Sequence, residues 1–82
     1  MFYTYVIKSK KTNKYYVGFT SNIVNRLIKH NRGGNKSTKF GIPWKLIYKE
    51  IFETKHEAWN KEHKIKKYKN GIAFKKLIGE VA

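Results

Sequence analysis

Phe2-Tyr3-Thr4-Tyr5-Val6-Ile7 and, after a polar gap, Tyr15-Tyr16-Val17-Gly18-Phe19-Thr20 decide the fold of this chain. Both runs are rich in aromatic and β-branched residues, which suit a pleated, half-buried surface. Between them Lys8 to Lys14 is polar, with Ser9, Thr12 and Asn13 fitted to a turn. The pair reads as a β-hairpin. Strand alternation puts Tyr16, Gly18 and Thr20 on one face and Tyr15, Val17 and Phe19 on the other, while Tyr3 and Tyr5 share a face of the first strand. Gly18, inside a strand it would otherwise weaken, marks close approach of another backbone or a ligand.

Downstream, Ser21 and Asn22 are N-cap residues for a helix through Ile23-Val24-Asn25-Arg26-Leu27-Ile28-Lys29-His30. Val24, Leu27 and Ile28 make its expected buried stripe. Gly33-Gly34 ends it, a basic loop follows to Gly41, and Pro43 closes the loop. Trp44 to Phe52 is a third strand with apolar groups for both faces. Thr54-Lys55-His56-Glu57 matches a capping box, so a helix begins near residue 55 and runs to about Lys69. Asn70 and Gly71 break it, and Ile72 to Ile78 forms a short closing helix on Phe74, Leu77 and Ile78. The order is ββαβαα, an α+β layer with helices on a small three-stranded, mostly antiparallel sheet.

The chain has 82 residues, one domain spanning 1–82, with no repeat or linker. A chain this small buries only about 60–65% of the surface its unfolded form exposes, so its core is thin. Aromatics are 16% of the residues and must carry much of that core's volume. There is no Cys, which excludes a disulfide framework and a thiolate metal site. The apolar runs are too short for a membrane span, and the N-terminus has no charged leader. The expectation is a soluble, cytoplasmic protein. Nineteen Lys and Arg against five Glu and no Asp give a net charge of +14, which points to a polyanion. Apolar residues spread over strands and short helices favour nucleic acid over a membrane surface.

Glu62 is the telling acid. On a helix starting near 55 its neighbours Ala58 and Ile65 are apolar, so its carboxylate sits on or beside the core face, where an unpaired ion is costly. The plain alternative is a surface Glu pairing with Lys66. The functional one is a ligand for a hard divalent cation. Glu57 is the capping-box acid, Glu80 lies at the chain's frayed end, and Glu50 and Glu53 stand amid lysines. Without Asp, a two-metal carboxylate site is hard to build, so one ion is expected. Arg26 and His30, at i and i+4, share a face of the first helix. Arg26 offers a charged fork for phosphate oxygens and His30 a proton relay or a partner for a phenol. Taken alone, either is more often a solvated surface residue, and cross-strand packing accounts for at least two of the tyrosines. His56 and His63 read as surface groups.

Taken together, Thr4-Tyr5, Tyr16-Val17-Gly18, Arg26, His30 and Glu62 make the chain resemble the GIY-YIG nucleases, in particular their short single-domain bacterial members. The tyrosines are eleven positions apart, and Arg26 follows Gly18 by eight. His30-Asn31, Thr38, Pro43-Trp44, Tyr48, Glu50, Phe52, Ala58 and Lys66 also follow that pattern, so the resemblance covers nearly the whole chain. The first motif departs from it, with Tyr3 for Gly and Thr4 for Ile. Phe19 stands where some members carry Lys, and Asn70 lies too close to Glu62 for the late Asn of many members. The resemblance implies hydrolysis of DNA phosphodiesters with one Mg²⁺ or Mn²⁺ held by Glu62. Arg26 would bind the scissile phosphate, Tyr5 or Tyr16 would activate water, and His30 would orient the tyrosine or the water.

The expected function is metal-dependent DNA cleavage or nicking of low sequence specificity. Lys36, Lys39, Lys45, Lys66 and Lys69, with Lys61, Lys64 and Lys67, would track the phosphate backbone. The alternative is a nucleic-acid-binding module of the same fold with weak or no turnover. A third reading is a subunit whose substrate recognition comes from a protein partner.

Overall fold

The structure, a computed structural model, describes residues 1–67, 69 and 71–79. The readings that fall on Asn70 and Glu80 lie outside the described residues. The element order is β1 (Phe2–Ser9), β2 (Tyr15–Thr20), α1 (Ile23–Asn31), β3 (Trp44–Phe52), α2 (Lys55–Lys67) and α3 (Ile72–Leu77), with a 3₁₀ turn at Lys39–Gly41 before β3. The ββαβαα order and the α+β class are as expected. The sheet is antiparallel throughout, in the order β2-β1-β3. Central β1 sets Tyr5 opposite Gly18 and Val6 opposite Val17. Its register with β3 shifts between Val6 and Ile7. Asn13 takes a left-handed φ of 62° at the hairpin turn, a conformation Asn tolerates better than most residues. No helix among the described residues is long and apolar enough to cross a membrane.

Alternation along β1 and β2 builds two cores. Val6 and Val17 point to one face and pack with Ile65 of α2 and Phe74 of α3. The Phe74 ring meets Tyr15 edge-on at 5.0 Å, an orientation that suits the ring quadrupoles. Tyr5 and Ile7 point to the other face and pack with Trp44, and Tyr16, Ile23 and Leu27 close over them. The sheet is thus a middle layer between α1 and the α2–α3 pair. Thr4 points toward α2, where its hydroxyl donates to the Ala58 carbonyl at 2.7 Å. That bond accounts for Thr where the family pattern has Ile.

One expectation fails here. Val24 is 66% and Ile28 43% exposed, so the stripe read onto α1 faces largely outward. The inward positions are Ile23, Leu27 and His30, spaced i, i+4 and i+7. A polar residue sits inside because His30 finds partners there, and apolar content alone therefore misjudges the helix's rotation. Two helix boundaries agree closely: the side chain of Asn22 caps α1 by accepting from Asn25 N at 3.0 Å, and α2 ends two residues before the expected Lys69.

Candidate active site

Tyr5 starts the site. Its ring crosses the neighbouring strand above Gly18, so closely that a Cβ at position 18 would lie 2.7 Å from the Tyr5 hydroxyl. The close approach read from Gly18 is therefore the phenol of Tyr5. That hydroxyl lies 2.8 Å from Nε2 of His30, which is fully buried on the last turn of α1. The other ring nitrogen, Nδ1, is 2.7 Å from the Thr38 hydroxyl, which itself donates to the Asn35 carbonyl at 3.3 Å. Thr38 has then spent its proton and accepts from Nδ1–H, leaving Nε2 bare to accept from Tyr5. Burial, then the nearby charges of Arg26 and Lys29, lower His30 to about 4. Burial above all, with Tyr16 next, raises the Tyr5 phenol well above its ordinary range; Arg26 opposes this and Glu62 adds to it. The pair is neutral and fully bonded.

Tyr16 differs. It is half-buried, its ring stands edge-on to His30 at 5.0 Å, and its hydroxyl makes no hydrogen bond among the described residues. Both tyrosines line one cleft of about 600 Å³ along β2, with Gly18, Arg26, Lys55 and Glu62 also on its walls. Arg26 comes from the α1 layer and Glu62 from the α2 layer, so the two faces of the sheet meet beside its edge strand. Glu62 is 8% exposed and lies 3.4 Å from Lys66 and 3.5 Å from His63. Both readings of its position are realised: it flanks the core and it pairs with Lys66. Arg26 has no carboxylate partner among the described residues.

A profile for the GIY-YIG catalytic domain matches residues 1–76. The chain belongs to the GIY-YIG family. Among similar proteins, a UPF0213 protein of Staphylococcus saprophyticus is 43% identical over 79 residues, covering 95% of this chain and 94% of its own. A UPF0213 protein of Clostridium perfringens is 44% identical over 68 residues, covering 82% and 72%. The solution NMR structure of a UPF0213 protein from Bacillus halodurans matches with a TM-score of 0.60 at 28% identity, over 99% of this chain and 86% of that one.

In this GIY-YIG chain the expected catalytic residues Tyr5, Tyr16, Arg26 and Glu62 line a single cleft, and His30 stands behind it, bonded to Tyr5. The lysines expected to bind nucleic acid lie elsewhere. Lys36, Lys39 and Lys45 are exposed, Lys66 holds Glu62, and Lys69 is half-buried. Burial and then Lys66 lower the pKa of Lys69. The lysine on the cleft is Lys55, which the sequence marks only as part of a capping box. Its signal was spacing: seven residues before Glu62, two helical turns along the same face. Thr38, which fixes the His30 tautomer, is marked in the sequence only by the family resemblance.

The site suits one hard divalent ion. Such ions keep several waters and need only one or two carboxylates plus substrate phosphate oxygens. Glu62 offers one carboxylate on the cleft wall, and no group of three or more His, Cys, Asp or Glu able to hold a metal occurs among the described residues. That donor set fits a single, largely hydrated ion and does not fit a metal cage.

Proposed function

We propose that this protein cleaves DNA phosphodiester bonds, as a nicking or endonucleolytic activity of low sequence specificity. The observation that carries this reading is the convergence of Tyr16, Arg26, Lys55 and Glu62 on one cleft, backed by the bonded Tyr5–His30 pair. Arg26 and Lys55 bind the non-bridging oxygens and stabilise the charge that builds there. Tyr16, with its hydroxyl open to the cleft, orients the attacking water, since Tyr5 is committed to His30; only as the phenolate would Tyr16 also take that water's proton. His30 holds Tyr5 in place and packs against the Tyr16 ring. Glu62 would hold Mg²⁺ or Mn²⁺, which supplies Lewis-acid stabilisation of the leaving oxygen when bound.

Nicking of supercoiled plasmid with Mg²⁺ or Mn²⁺ tests the reading. Tyr16→Phe, Arg26→Ala and Glu62→Ala should each lower the rate by about 10²–10³, and a chelator should abolish it. Cleavage surviving both Arg26→Ala and Glu62→Ala would mean a contaminating nuclease. The pairing of Glu62 with Lys66 and His63 favours a second reading, a nucleic-acid-binding module without turnover. DNA binding with no cleavage under either metal would select it. Cleavage only on addition of a bacterial lysate fraction would point to a protein partner that supplies recognition.

A further inference from the structure

Beside the active cleft lies a second groove of about 290 Å³, and Tyr16 lines both. Its most unusual member is Phe40, which is 80% exposed. A single exposed apolar residue is ordinary, but this one is held outward by a tied turn. Before it, the Thr38 carbonyl accepts from the Trp44 indole N–H at 2.7 Å. After it, the Gly41 carbonyl accepts from the buried Ser9 hydroxyl at 2.6 Å. Gly41 itself has no room for a side chain, since a Cβ there would run into the Trp44 ring. The ring of Phe40 is therefore presented on a fixed turn, facing a groove that Tyr16, Trp44 and Lys14 also line.

We propose that this groove is a nucleobase site, taking one unpaired base of a DNA strand whose phosphate lies in the neighbouring cleft. The inference rests on the nuclease reading for its substrate and adds the strand state. The volume is at the low end for a small-molecule cleft and admits one planar base. Aromatic walls stack on any base, which gives affinity without sequence preference. The charge suits a polyanion: Lys36 and Lys39 lie just before Phe40 in sequence, and no acidic residue precedes Glu50 in the chain. A base can reach the groove only when unstacked, so single-stranded, flapped or branched DNA is preferred over intact duplex.

The test is equilibrium binding in chelator, with short single-stranded oligonucleotides compared against fully abasic strands of the same length. Wild type should bind the base-bearing strand about tenfold more tightly, and a 2-aminopurine probe should be quenched on binding. Phe40→Ala should lose that preference and the quenching while binding the abasic strand unchanged; Phe40→Trp should keep both. Equal affinity of wild type for the two strands, or an unaltered preference in a folded Phe40→Ala, overturns the site. Plasmid nicking is scored separately. Base preference without turnover would sink the nuclease reading and leave this site standing, whereas turnover without base preference would do the reverse.

Discussion

Gly18 and His30 show how single residues fix the site. Gly18→Ala pushes a methyl into the Tyr5 phenol, whose ring is buried and held by His30. The expected cost is about 1–3 kcal/mol in urea unfolding, with nicking lost alongside, because the ring must leave His30. His30 makes stability depend on pH. In the folded protein it stays neutral down to about 4, against an ordinary value of 6.5 that holds for the unfolded chain. Between those values the unfolded state binds more protons, so stability falls as pH drops from 6.5 toward 4 and then levels off, a loss on the order of 3 kcal/mol from this group. Urea midpoints across that window should show the slope in wild type and a flatter profile in His30→Gln.

At the scale of elements, α2 carries two duties, since it closes one core and brings Lys55 and Glu62 to the cleft. Its start is fixed by a capping box, in which Thr54 Oγ1 accepts from Glu57 N at 3.2 Å and Glu57 Oε1 accepts from Thr54 N at 3.2 Å. Thr54→Ala should cost ~1 kcal/mol in thermal or urea unfolding. Thr4→Val, which deletes the buried tie to the Ala58 carbonyl, should cost about 1 kcal/mol as well. The capping box was readable because its chemistry is local, and so were the hairpin and the cap at Asn22. The facing of α1 was not. Its rotation depends on His30 meeting Tyr5 and Thr38, partners at positions 5 and 38 that no local pattern of apolar residues reveals. For the same reason the choice between Tyr5 and Tyr16 stays open in the sequence, whereas hydrogen bonding separates the two phenols. His56 and His63 are exposed as read, yet both rings lie against Trp59, at 6.2 and 3.9 Å, a stack that their i, i+3 and i+7 spacing permits without announcing.

For the molecule as a whole, charge decides how it meets its substrate. With a net charge of +14, binding to duplex DNA should fall by about 0.9 log units per phosphate neutralised for each decade of salt. A filter-binding or anisotropy series across salt measures that slope, and a flat profile would refute a phosphate-tracking surface. The order β2-β1-β3 also leaves β2 with no strand on its outer side among the described residues, and that is the strand along which the cleft runs. An extended peptide pairing with this bare margin by main-chain hydrogen bonds would roof the opening. Inhibition by such a peptide should hold at ionic strengths that strip DNA from the lysines, and competition assays in high salt would read it directly.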